Sequence, residues 1–395
     1  MPKKEKILFF LNRVITFFIY LLCFFLPISI AFIEVFSTII IFLFFIKKII
    51  KPDFKFLKDK TSIFLIIFIG FCVLSLFNSS IYFKKSIGAL FFKWFQYIII
   101  FFAIKDVIEP KKIKKIIFII LLSATLIGID GLFQHFFGFD FIRHRRSVEI
   151  PTTGSKDVIT ATFKHYNDFG AYLVVVLSLA FVYSFKDKKH FIRFLFLIII
   201  LFFCILFTYS RGAWLGFLSS VLFSSFFLKR KYFIFLVLFF LVFIIFNPML
   251  RERLIFTFSN TGDAGRFCLW KATILMIKDN PFLGKGIGTF MDYLPIYDKE
   301  LGYQYAHNSY LQIAAETGVF SLLFFVLFIF SILYTNIKIF IKNKNLLVLA
   351  INSAIFGYSV HSFFDTQFYG LQTATLFWVI LGLGSKIKEN FNVDL

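Results

Sequence analysis

Apolar residues run through this chain in long blocks, separated by short polar or turn-rich breaks, along nearly its whole length. A block of about 18 residues or more supplies enough helix to cross the hydrocarbon core of a bilayer. Read with the punctuation of Gly, Pro and charge, the pattern predicts helices near 7–27, 29–47, 62–80, 87–105, 113–134, 166–185, 191–208, 212–229, 232–248, 317–338, 346–364 and 369–386. The expected fold class is an all-α polytopic integral membrane protein with about 12 transmembrane helices. The first five fill 1–134, a loop follows at 135–165, four more fill 166–248, a large loop spans 249–307, and the last three, with a short tail, fill 308–395.

Charge adds an orientation. The chain carries 43 Lys and Arg against 22 Asp and Glu, a formal net charge of +21. A nucleic-acid reader gathers its cations on one face, whereas these stand in short tufts between apolar runs, so no nucleic acid is expected as a partner. Well over half of them fall in the N-terminus, in alternate loops and near the C-terminal Lys386 and Lys388. The positive-inside rule makes those segments cytoplasmic, with both termini inside. Lys3, Lys4 and Lys6 precede an apolar run with no small-residue cleavage site, so the N-terminus reads as an uncleaved first helix. The loops 135–165 and 249–307 and the turn Tyr209-Ser210-Arg211-Gly212 then fall on the outer side. Short basic cytoplasmic loops without a Walker-type sequence leave no place for a nucleotide-binding domain.

Composition refines this only slightly. The chain is 59% hydrophobic with 66 Phe, which suits surfaces that face acyl chains. Cys23, Cys72, Cys204 and Cys268 show no CxxC or Cys/His cluster, so neither a disulfide nor a zinc site is expected. No convincing repeat of 20–50 residues and no matched pair of broken helices favours a transporter.

The candidate chemistry lies on the outer face. A cation at a helix mouth is costly without a partner, which makes Arg211 in TYSRGAWLGF either a diphosphate ligand or an interfacial anchor. Arg266 opens GRFCLWKATILMIKDNP, where Phe267, Trp270, Ile274 and Ile277 recur at helical spacing before Pro281. This reads as an amphipathic helix with an anion-attracting N-terminus, or as a cap on the bundle. Gly284, Gly286 and Gly288 in GKGIGTF read first as turn residues and second as a phosphate nest. His307 in AHNSYLQIAAETGVF stands where Asn308 or Ser309 would cap the next helix, and a helix N-terminus favours the neutral imidazole a general base needs. Glu316 lies about 13 Å further along a continuous helix, out of direct reach of His307. His361 and Asp365, four apart, share a face and read as a structural pair or a second acid–base pair. Arg143, Arg145 and Arg146 read first as a solvated basic tuft and second as one that attracts an anionic donor or acceptor.

Three stretches, SRGAWLGF at 210–217, the GR-x3-W to NPFLGKGIGTF block at 265–290 and HNSYLQIAAETG at 307–318, resemble the O-antigen ligase and polymerase superfamily. TFKHYNDFGAYL at 162–173 is a weaker fourth. The resemblance implies a GT-C-like, metal-independent, inverting glycosyltransferase without a cofactor, using an undecaprenyl-diphosphate-linked glycan as donor. Arg211 and Arg266 would then bind the donor diphosphate and His307 would be the catalytic base, with Tyr209, Trp270, Gly286, Asn308 and Glu316 in support. The number of spans and the large outer loop look most like a ligase that uses lipid A core as acceptor, acting as a monomer among membrane lipid. A polymerase and a protein O-oligosaccharyltransferase are the alternatives within the superfamily. A lipid-linked glycan transporter is the alternative outside it.

Overall fold

A computed structural model describes residues 2–150, 155–186, 188–228, 230–248, 250–252 and 264–390. Each expected span coincides with a helix. These are α1 (Lys3–Phe25), α2 (Ile30–Ile50), α3 (Lys60–Leu74), a broken helix made of α4 (Phe83–Ala89), a π-helical turn (Leu90–Trp94) and α5 (Phe95–Val107), then α6 (Ile113–Phe137), α7 (Tyr166–Ser184), α8 (Lys188–Phe207), α9 (Arg211–Phe227) and α10 (Arg230–Phe246). The expected large loop holds α11 (Ala264–Asp279) and α12 (Phe290–Tyr297); residues 253–263 lie outside the described residues. After it come α13 (Ser309–Thr317), α14 (Val319–Asn343), α15 (Leu346–His361) and α16 (Leu371–Lys386). Seven helical stretches are long and apolar enough to cross a membrane, and Phe191–Phe207 and Leu346–His361 are shorter apolar helices. One departure from an all-helical chain lies in the first expected loop, where Val148–Ile150 and Ser155–Val158 pair as an antiparallel hairpin, Val148 opposite Val158.

The centre of the bundle is built on small residues. A Cβ on Gly216 of α9 would lie 2.9 Å from the Gly357 carbonyl of α15, and one on Gly357 would lie 2.8 Å from the Gly216 carbonyl. Gly170 of α7 meets Ala213 of α9 in the same way, its own Cβ falling 2.8 Å from that of Ala213. Where no water drives helices together, such contacts let backbones approach closely enough for dispersion to hold them. As a result α7 is buried along most of its length, and its first turn is locked beside those of α9 and the end of α15.

At one end of the bundle cations are neutralised in place. Lys105 donates to Asp59 at 2.7 Å, Lys388 pairs with the same carboxylate, and Lys47 and Lys48 reach Asp106 at 2.7 and 2.9 Å. Asp59 also caps α3 by accepting from the Ser62 amide. Two members of the expected basic tuft, at the opposite end, are tied into the protein rather than solvated. Arg143 donates to the Ile28 carbonyl and Arg145 to that of Phe163 at 3.1 Å, while Asp140 accepts from both their amides.

The chain leaves α13 through Gly318, at φ +90°, where a Cβ would fall 2.0 Å from the Phe282 carbonyl. Only a residue without a side chain fits both that backbone region and that approach. Gly318→Ala is expected to lose about 1–3 kcal/mol of stability, read as a lowered unfolding temperature in detergent. Gly70→Ala, whose Cβ would meet nothing within 4 Å, is the control and should leave it unchanged.

Candidate functional site

Three polar segments meet at the other end of the bundle: the entry to α7, the α8–α9 turn and the α15–α16 connection, with the entry to α13 laid across them. Asn308 caps α13, its carbonyl oxygen accepting from the Tyr310 and Leu311 amides at 3.0 Å each. The residue before the cap, His307, takes a left-handed backbone at φ +47°. That conformation is uncommon for a non-glycine residue and is held here by contacts on both sides. The Trp270 indole donates to the Ala306 carbonyl at 3.1 Å, the Gln312 amide oxygen accepts from the Ala306 N–H, and the Ser309 amide donates to the Ser362 carbonyl.

The His307 Nδ1 lies 2.9 Å from Asp365 Oδ1. A carboxylate only accepts, so Nδ1 of the imidazole carries a proton and donates it; when the ring is neutral the lone pair is on Nε2. The His307 side chain is 34% exposed while that of Asp365 is 11% exposed, so the ring bridges a buried carboxylate and open space. Asp365 also accepts from the Thr366 amide at 2.7 Å and from the Gln367 side chain at 3.3 Å, and its carbonyl takes the Ser309 hydroxyl. Burial would push the Asp365 carboxyl up; the hydrogen bond and charge of His307, the neighbouring His361 and the Thr366 N–H outweigh it and hold it well below the ordinary range.

Around this pair stand groups from α7 and α9. The Ser210 hydroxyl, cap of α9, donates to Asn167 at 2.7 Å, and His361 Nε2 lies 3.4 Å from the Asn167 carbonyl. Arg211 follows as the first residue of α9, beside Gly212, whose absent side chain admits the His361 ring: a Cβ there would stand 2.9 Å from Nδ1. Tyr209, at φ +52° and buried, reverses the chain before the cap. The Arg266 guanidinium is within electrostatic reach of His361, and the Gln367 amide extends to Asp168 as well as Asp365. Burial holds His165, at the entry to α7, below its ordinary value, in the neutral form. Among the described residues, no three His, Cys, Asp or Glu groups are placed to hold a metal ion.

The other expected residues divide. Trp270 supports the His307 segment directly. Glu316 sits at the far end of α13 and gathers the glycine loop: its carboxylate accepts from the Gly288 amide at 2.8 Å, Phe290 N at 3.3 Å, Gln312 at 3.1 Å and the Tyr369 hydroxyl at 3.0 Å. Two amides here, those of Gly288 and Phe290, are thus already taken by the protein's own carboxyl. Gly286 donates to the Glu316 carbonyl and lies against Ser79, which is the backbone-turn role. On α11 the buried stripe is Leu269, Ala272, Thr273 and Met276, whereas Phe267 and Ile274 are exposed. The helix rolls that face toward α12 and α13, and the indole of Trp270 goes with it only because its N–H has the Ala306 carbonyl to meet. His361 and Asp365 do not pair with each other; the carboxylate turns to His307 instead.

Residues 194–326 match the family model described as O-antigen ligase. The match, over about a third of the chain, supports the O-antigen ligase superfamily. No curated protein matches the chain. The O-antigen ligase segment contains Arg211, Arg266 and His307, whereas Asp365, His165 and Asp168 lie outside it. Sequence reasoning missed His165 and Asp168, and it set Asp365 beside His361 rather than His307. The only signal for them was the polar run HYND at 165–168 and an isolated aspartate after an apolar helix. The match supports a general enzymatic role of O-antigen ligase or polymerase type.

A group whose carboxyl is depressed on folding adds stability above its unfolded value and loses it as pH falls through the folded one. With an ordinary Asp value of about 3.9, the contribution of Asp365 is present at neutral pH and starts to fade below about pH 5. Asp365→Asn is expected to cost about 1.5–3 kcal/mol at pH 7, and the gap to wild type should narrow on acidification when unfolding is followed in detergent at a series of pH values.

Proposed function

We propose that the protein is an O-antigen ligase: a GT-C-type, inverting glycosyltransferase that moves a glycan from undecaprenyl diphosphate to the lipid A core on the periplasmic face of the inner membrane. The single observation that carries this reading is the His307–Asp365 pair, a general base with its proton on one nitrogen and a lone pair on the other, next to the start of α9 that bears Arg211. The acceptor hydroxyl attacks the anomeric carbon and gives its proton to His307 Nε2. The bond from that carbon to the diphosphate oxygen breaks, and the diphosphate leaves with the electron pair. Asp365 holds the ring in orientation and stabilises the imidazolium as it forms. Arg211 and Arg266 neutralise the departing charge, the role a divalent ion takes in other transferases; no Asp-x-Asp sequence stands in the expected outer loops.

The orientation rests on charge. The pair and the Lys105–Asp59 cluster occupy opposite ends of the bundle, and the lysine-rich end is the one the positive-inside rule assigns to the cytoplasm. Both termini are then cytoplasmic and the pair faces the periplasm. No soluble partner or cofactor enters this scheme, and membrane lipid surrounds a single copy of the chain.

Purified protein in detergent, given undecaprenyl-diphosphate-linked glycan, lipid A core and EDTA, should transfer the glycan to the core. His307→Ala should lower the rate by about 10²–10⁴, and Arg211→Ala or Arg266→Ala by about 10²–10³. Arg211→Lys should restore only part of the rate, since an ammonium cannot hold two phosphate oxygens in a planar fork. Lengthening of the donor glycan in place of transfer to the core would make the protein a polymerase. Absence of any transfer would overturn the enzymatic scheme.

A further inference from the structure

Beside the His307 end of the bundle lies a cavity of about 420 Å³ that the transfer scheme does not use. Its walls come from α2, the α4–α5 break, the glycine loop, α13 and the turn at Tyr369. It shares two elements with the proposed active site. Tyr305 precedes His307 by two residues and lies 6.4 Å, ring to ring, from Tyr369, while Gln367, in the same short turn as Tyr369, holds Asp365.

The lining combines aromatic faces with polar groups. Trp94, Tyr97, Tyr305 and Tyr369 provide rings, and Glu34, Lys93 and Glu316 provide charge. Glu316 has four donors of its own, but among the described residues Glu34 accepts only a 3.3 Å contact from Gln96, and the buried Tyr97 hydroxyl has no hydrogen-bond partner. Tyr97 thus lines the cavity while its hydroxyl, at 1% exposure of the residue, stays unmatched by the described residues, a buried polar atom that calls for a partner. Lys93 makes no ion pair among the described residues. It lies eight residues beyond Lys85, about 12 Å further along the helix, and a cation at that depth is retained where it lines a polar cavity.

The backbone is shaped to make this wall. The π-helical turn Leu90–Trp94 holds Lys93 and Trp94 and leads on to Tyr97. Such a turn interrupts the regular ladder and is frequent at functional sites, because it re-aims the side chains beyond it. Gly88, just before it, has nothing within 4 Å of the position its Cβ would take.

We propose that this cavity is a saccharide subsite, which holds a short stretch of the glycan handled at the adjoining His307–Asp365 pair; it rests on the transferase reading given above. Sugar rings offer C–H faces to aromatic side chains and hydroxyls to a carboxylate and a phenol, the pairing the walls present. The volume lies within the range of small-molecule sites. The shared chemistry is that of a sugar, whether it belongs to the donor or to the acceptor.

The test is equilibrium binding to the purified full chain by native mass spectrometry, with three probes: bare undecaprenyl diphosphate, the same lipid carrying its glycan, and free lipid A core oligosaccharide. Gly88→Leu fills the cavity from an open position, and Lys93→Gln and Tyr97→Phe are milder changes that keep its shape. The expected result is a loss of tenfold or more for one saccharide probe in Gly88→Leu and a smaller loss in the other two, with bare undecaprenyl diphosphate bound as in wild type. A loss for the glycan-bearing lipid assigns the subsite to the donor, and a loss for the core oligosaccharide assigns it to the acceptor. Unchanged affinity for both saccharides in all three variants overturns the proposal, as does an equal loss for the bare lipid. Retained binding of bare undecaprenyl diphosphate would then leave the transferase reading standing, whereas a wild-type protein that binds none of the probes overturns both.

Discussion

A carboxylate that is almost withdrawn from water has to be surrounded by donors, and the site is organised around meeting that demand at Asp365. Its oxygens take the His307 imidazole, the Thr366 amide and the Gln367 side chain, while its carbonyl takes the Ser309 hydroxyl. These donors come from the start of α13 and from the short connection between α15 and α16, segments far apart in the chain. Removing an anion's partners in a low-dielectric setting costs more than the individual bonds are worth, so each donor is fixed by the others. The left-handed backbone at His307 is therefore the conformation in which the imidazole can reach Asp365 while Asn308 still caps α13, and the cost of that conformation is borne by the network as a whole.

This arrangement would have little precision if the helices that carry it could slide. The contacts of Gly216 with Gly357 and of Gly170 with Ala213 remove that freedom, because they place backbone against backbone with no side chain whose rotation could absorb a shift. The first turn of α9, where Arg211 begins, is thereby fixed relative to the end of α15, where His361 and Asp365 stand. Packing of small residues and satisfaction of a buried anion thus act together: the first sets the distances and the second determines which side chains occupy them.

The fold was largely legible in the chain because the signals for it are local. Length of apolar run, Gly and Pro breaks and lysine tufts locate every helix core from α1 to α10 and from α14 to α16. What was not legible depends on contacts between distant segments. Asp365 was visible as an ionisable residue four positions after His361, and local spacing favoured that pair; the structure gives the carboxylate to His307, 58 residues away in sequence. Which face of α11 packs on α12 and α13 also depends on those distant segments: Leu269, Ala272, Thr273 and Met276 are buried there, whereas Phe267 and Ile274 stay exposed. Glycine density in 284–288 read first as turns, the role the loop has, and second as a phosphate nest; nothing in the spacing indicated that the Gly288 and Phe290 amides would meet the Glu316 carboxyl. The pairing of Val148–Ile150 with Ser155–Val158 was likewise hidden in a stretch too short and too polar to give an alternating pattern.

The π-helical turn between α4 and α5 contains one residue more than a regular helix of the same span would hold. Loss of any single residue from Leu90–Trp94 would restore an unbroken ladder and rotate α4 by about 100° relative to α5. Lys85 would then swing away from Asp292, and the wall that Gly88 and Ala89 now form would face another direction. The register of this helix is in that sense a coordinate of the site. Two related chains of identical loop lengths could differ in what they accommodate through a single insertion inside a transmembrane segment, where variation in length is ordinarily regarded as silent.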